Sequence, residues 1–354
     1  MSHMTNPLAT ADQLYRWKSF SAIPTDLQDI IFFTTQCLTQ AAGILLRLPQ
    51  SVTAQANVVL ARYWLVEPSP LAHEFSDVSA ASLFLVAKLS SHPCLPRDIC
   101  NVYAYLVSPS SALFRGGGGD TGSNTTNTNN NNDPASYYLS ESAYAEMHGR
   151  ILQLESRILL ALAFDTHVAL PHGLAITYLQ ALDYLGQSPS ASSSKQNSSS
   201  GSGDDEKDKD QDKDVARRAI AHLNTALLSP QLLYLTHQPH ALAVAAVYGA
   251  ARDAGARMPE CAWWEVFDVD REELGFLVVA MRSLEGWVRQ QQQAFAELGR
   301  DGMITRRFVE GEMRRRGLRL GGEGDNGNGD GNGKLSEEDA MMRQMDETAV
   351  PMEG

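Results

Sequence analysis

Cysteine is scarce and never paired in this chain. Cys37, Cys94, Cys100 and Cys261 are the four in 354 residues, and no two of them form a CxxC. Such scatter points to reduced thiols in a cytosolic or nuclear protein rather than to a disulfide framework. Long apolar runs are missing too. The longest, Ala241–Tyr248, has eight residues, whereas about 20 are needed to span a bilayer. The amino-terminal stretch MSHMTNPLATADQ carries no apolar core of a secretory signal. No stretch alternates apolar and polar residues with a period of two, so strands are not expected.

Catalytic signatures are equally absent. The sequence contains no GxGxxG or P-loop, and no GxSxG, HExxH or EF-hand loop. The glycines Gly116–Gly119 lack the Lys-Ser/Thr and the helix start that a phosphate cradle requires. His73, His92, Cys94 and Cys100 match no metal-ligand spacing, and His237 and His240 flank Pro239 at a helix start, where capping or solvation accounts for them. No acid/base pair stands out. The chain therefore reads as a non-enzyme without cofactor or metal.

The net charge of −13 belongs mostly to two segments. Asp204–Asp214 holds seven acids and three lysines, and Gly321–Gly354 holds nine acids against Lys334 and Arg343. The remainder is close to neutral, so the acidity says little about partners.

What is present is helical periodicity. The stretch SDVSAASLFLVAKL, Ser76–Leu89, is apolar almost all round, the pattern of a helix in the middle of a bundle. Ser76 or Asp77 is the expected cap, and Lys88 falls at the buried end, where an ammonium needs a partner. Further helices are expected over Ala11–Phe20, from Thr25 or Asp26 to Leu46, from Pro49 to about Leu65, and from Pro96 through Leu106. Ser142–Ala163 reads as a helix about 30 Å long, with Tyr144, Met147, Ile151, Leu154, Ile158 and Leu162 inward and Glu155 among them. Pro171–Leu185, Val215–Leu228, Pro239–Ala254 and Glu272–Arg289 continue the pattern. Pro239–Ala254 echoes the first all-apolar helix, and this echo predicts a duplicated helical unit. Gly116–Asn132 and Gln187–Asp214 are low-complexity inserts expected to be irregular. Gln290–Leu320 reads as one charged helix without a clear apolar face, followed by a Gly/Asn-rich disordered tail.

SAASLFLVAKL, LPRDICNVYAYL and QLESRILLALAFDTHVALPHGLAITYL together resemble the cyclin box. PHALAVAAVYGAARDAG and WWEVFDVDREEL resemble the second box of transcription-type cyclins, most of all the L, K and Q group. Arg97-Asp98-Ile99 and Trp263-Trp264-x-x-Phe267 carry the subgroup. The resemblance covers roughly residues 27–107, 136–186 and 215–288. It implies an all-α fold of two tandem five-helix boxes. The expected layout is an extension over 1–26, a first box over 27–168 with an insert at 108–136, a second over 169–289 with an insert at 187–214, and a charged helix and tail over 290–354.

By the same resemblance, the chain is expected to be a regulatory subunit that forms a heterodimer with a cyclin-dependent kinase. It would act in the nucleus, in RNA polymerase II transcription or RNA processing, without membrane or direct nucleic-acid contact. The family's lysine–glutamate pair at the kinase groove falls on Lys88 and Glu155. The apolar positions beside it fall on Leu85, Leu89 and Leu159, which are expected to bury against the kinase. Two departures stand out. Ser90-Ser91 occupy positions that are acidic in many cyclins, and Ile30–Gln40 lacks the arginine and tryptophan of the substrate-docking patch of cell-cycle cyclins. Two other readings remain: a cyclin-fold scaffold that activates no kinase, and a DNA-binding factor like transcription factor IIB. The second would need a basic surface. The cluster Arg306-Arg307 with Arg314-Arg315-Arg316 reads either as an import signal or as the solvated face of a helix.

Overall fold

Proline and apolar spacing set the helix boundaries in the computed structural model. It describes residues 4–19, 23–67, 70–108, 111, 138–184, 204–294 and 304–318, and the insert Gly116–Asn132 and residues 319–354 lie outside these. Twelve α-helices occur among the described residues, and no strand. They are α1 (Ala11–Ser19), α2 (Thr25–Leu45), α3 (Gln50–Val66), α4 (Phe75–Leu89), α5 (Pro96–Val107), α6 (Glu141–Ala161), α7 (Pro171–Ala181), α8 (Asp204–Leu227), α9 (Leu233–Thr236), α10 (Pro239–Ala254), α11 (Arg271–Ala294) and α12 (Arg306–Arg315). Pro96, Pro171 and Pro239 each open a helix, where a missing N–H removes no bond. Pro49 sits one position earlier than expected, just before α3.

The first group of helices surrounds α4. Every residue from Asp77 to Ala87 is buried, against α2, α3, α5 and α6. The expected cap by Ser76 or Asp77 does not form. The helix starts at Phe75, and the Asp77 carboxylate instead accepts from Arg150 Nε at 2.8 Å on α6. A carboxylate only 7% exposed gains more from a guanidinium than from free helix N–H groups. Polar groups deeper in the group are satisfied in a chain: Thr39, Ser79 and Tyr103 link α2, α4 and α5 through two hydroxyl contacts of 2.7 Å. Small residues permit this closeness. A Cβ at Gly43 would overlap the Thr53 side chain where α2 crosses α3.

The second group repeats the plan around α10, which is buried from Ala241 to Val247 and packs against α7, α8, α9 and α11. The two groups meet along a seam of mixed apolar and polar contacts. Gln50 Nε2 and His172 Nε2 both reach Asn224 Oδ1 at 2.9 Å, and Phe33 packs edge-on against Trp287.

Two expectations change. Helix α8 begins at Asp204, inside the insert expected to be irregular up to Asp214. Acids crowd its first turn, where the helix dipole favours negative charge, and the lysines follow at helical spacing. The charge run is low in complexity and helical at once. The segment after Gln290 is likewise not one charged helix. Helix α11 runs on to Ala294, and α12 is separately docked, with Ile304, Val309 and Met313 at most 1% exposed. Arg316 then pairs with Asp26 at 2.8 Å, at the start of α2.

Candidate functional site

Lys88 lies in the last turn of α4, where the carboxyl end of the helix favours a cation. Its ammonium pairs with Glu155 of α6 and stands 5.3 Å from the centre of the Phe84 ring. The partners are unequal in exposure: the Glu155 side chain is 8% exposed and that of Lys88 is 51%. Glu155 thus holds the ammonium from within the protein, while Lys88 turns much of its surface outward. The intrachain tie exists, and it leaves the lysine free donors on the solvent side.

The apolar neighbours divide. Leu89 is 61% exposed and Leu159 is half-buried. Leu85 is only 1% exposed, so it belongs to the core and has no surface to offer a partner. Its position on α4 explains this, because residues 77–87 are enclosed on every side and only the last turn emerges. The sequence reading missed other exposed apolar side chains here. Leu152 stands three residues before Glu155 and shares its face of α6 with Leu159. Leu160, at the end of α6, and Phe164, in the turn beyond it, are 69% and 65% exposed. The signal was available in the i, i+3, i+7 order Leu152, Glu155, Leu159.

Around Lys88 the rim is neutral. Ser90 Oγ donates to the Ala87 carbonyl at 2.9 Å and accepts from the His92 amide at 3.0 Å, so it closes the helix end. Ser91 is exposed and contacts His92 Nδ1 at 3.0 Å.

The basic cluster of the carboxyl-terminal segment is largely neutralised within the chain. Arg306 pairs with Glu310, Arg315 and Arg316 share Glu312, and Arg316 also reaches Asp26. Arg307 and Arg314 remain exposed. Among the described residues, no three His, Cys, Asp or Glu side chains are grouped to hold a metal ion, and no helix is long and apolar enough to cross a membrane.

No family profile matches the chain. Curated relatives do. An uncharacterized cyclin-L1-like protein of Schizosaccharomyces pombe is 27% identical over 277 residues, covering 77% of this chain and 88% of the relative. Human cyclin-L2 is 24% identical over 307 residues, covering 83% of this chain but 50% of that protein. Chicken cyclin-L1 is 25% identical over 255 residues, covering 72% of this chain and 39% of its own length. The chain thus spans most of the fission-yeast relative and half or less of the vertebrate ones.

Among solved structures, a chain of the yeast RNA polymerase II CTD kinase complex CTDK-1 aligns with a TM-score of 0.55 at 13% identity, over 96% of this chain and 89% of that one. A chain of the CAK complex of Chaetomium thermophilum bound to ATP-gamma-S aligns with a TM-score of 0.52 at 12% identity, over 92% of this chain and 95% of that one. Likeness at such identity establishes the fold. Sequence and fold agree on one resemblance: this all-α chain is similar to cyclin-L proteins.

Proposed function

We propose that this chain is the regulatory subunit of a cyclin-dependent protein kinase, with its boxes at 27–168 and 169–289 and its kinase-binding surface on the first. The observation that carries the reading is the Lys88–Glu155 pair, whose ammonium turns outward beside the exposed Leu89, with the exposed Leu152 one turn before Glu155 on α6. A fixed ammonium amid apolar surface suits a partner that buries an apolar helix and offers backbone carbonyls to the lysine. The mechanism is positional. By packing against the kinase's mobile helix, the surface would hold it inward, so that the kinase's own Lys–Glu pair and metal-binding aspartate align for phosphoryl transfer. The chain contributes packing free energy and no reacting group.

Work in the nucleus on RNA polymerase II transcription or RNA processing is part of the proposal. Its support is the likeness to cyclin-L proteins and the fold shared with the CTD kinase complex. The near-neutral folded part and the internally paired arginines of α12 speak against a DNA-binding factor. A scaffold that activates no kinase is the second reading, and the neutral Ser90-Ser91 rim favours it.

Affinity purification with mass spectrometry and a kinase assay tests both. The wild-type chain is expected to bring down an active cyclin-dependent kinase. Lys88→Ala is expected to lose it, since truncating one member of a pair that becomes desolvated costs about 2–5 kcal/mol of binding, and Lys88→Ala/Glu155→Ala is expected to lose it as well. A bound but inactive kinase would favour the scaffold. Binding indifferent to both residues would move the interface elsewhere.

A further inference from the structure

Asn6 is 5% exposed, although it lies in an irregular segment ahead of α1. Its side chain forms a reciprocal amide pair with the backbone of Ala169: Nδ2 donates to the Ala169 carbonyl at 2.9 Å, and Oδ1 accepts from the Ala169 amide at 2.8 Å. Its own backbone forms a second such pair with the side chain of Gln238. The Asn6 amide donates to Oε1, and Gln238 Nε2 donates back to the Asn6 carbonyl, both at 3.0 Å. Arg62 of α3 completes the junction, donating to Asn6 Oδ1 at 3.4 Å and to the His167 carbonyl at 2.8 Å. Three residues on, the Ala9 amide donates to the Leu235 carbonyl at 2.7 Å.

These partners come from three places. Arg62 belongs to the first helical group, Ala169 to the connection between groups, and Leu235 and Gln238 to the second. The segment is also anchored from its other end, because α1 packs on α3 and buries Trp17. We infer that residues 4–19 are a strap that fastens the second helical group to the first, with Asn6 as its clasp. Only a carboxamide offers a donor and an acceptor side by side in the geometry of a peptide group. Aspartate has the same shape but would set a second acceptor against the Ala169 carbonyl. The inference does not depend on kinase binding.

Hydrogen exchange of the full chain carrying Asn6→Asp tests the strap. The expected result is a loss of protection of roughly tenfold or more at the Ala9 and Ala169 amides and through residues 232–238, because buried partners are left unsatisfied. The amides of α4 are expected to keep their protection. Unchanged exchange at Ala9 and Ala169, or an equal loss across α4 and α10, would overturn the inference. Should Asn6→Asp not yield folded protein, Gln238→Ala decides. It cuts only the second-group side, so the Asn6 and Ala9 amides should open while Ala169 stays protected. No change at Asn6 and Ala9 would sink the strap.

Discussion

Glu155 and Lys88 respond differently to truncation because one is buried and the other is not. Lys88→Ala strands a carboxylate that is 8% exposed, whereas Glu155→Ala leaves a half-exposed ammonium that water can solvate. Lys88→Ala is therefore expected to cost the isolated chain about 1–3 kcal/mol, and Glu155→Ala less than about 1 kcal/mol, in chemical denaturation. Equal costs would mean the pair is symmetric in solution. A second carboxylate gives the chain a pH dependence. Burial lifts Asp29 from 3.8 to about 6, with Lys18 opposing and Asp26 adding. Between those values the folded carboxyl holds its proton while the unfolded one has lost it, so stability falls as pH rises through this window and stays lower above it. Asp29→Asn is expected to raise the melting temperature at neutral pH, with the gain fading as the pH drops towards 3.8. A gain largest in acid would point to another group. The pairing of Lys88 with Glu155 was legible, because charges inside apolar runs are conspicuous. Leu85 misled because its place in the sequence matches a surface position while its helix is enclosed to within two residues of Lys88.

At the scale of elements, helices with strong apolar periodicity could be read directly, and α4 and α10 are buried as their sequences require. Helix α12 was obscured by its own arginines. Its buried residues are Val309, Glu312 and Met313, and two buried apolar side chains among four arginines do not make a visible stripe. Their burial makes them decisive all the same. Met313→Ala is expected to destabilise the protein by about 2–5 kcal/mol, as truncation of an enclosed methionine does. Chemical denaturation measures it, and a cost below about 0.5 kcal/mol would mean that α12 contributes nothing to the folded unit. The start of α8 was hidden for the opposite reason: its charges suggested solvation, while their order suits a helix.

For the whole molecule, the duplicated plan was readable because two small-residue helices each sit amid four or five others. What was not readable is how the halves are joined. Asn6, Arg62, Asn224 and Gln238 are polar residues whose partners lie far away in sequence, and no periodicity announces such contacts. Asn6 alone reaches across 163 and 232 positions.

The pairing of Arg316 with Asp26 spans 290 positions, and this has a consequence for synthesis. Helices α2 to α6 can collapse as they leave the ribosome, since their contacts are local. Their outer face stays incomplete until the chain from the end of α6 at Ala161 to Arg316 has also been translated. At ~5–20 residues per second, that interval lasts on the order of 8 to 30 seconds. During it, the face that α12 will cover is open water-side surface, available to a chaperone before it is available to its own chain.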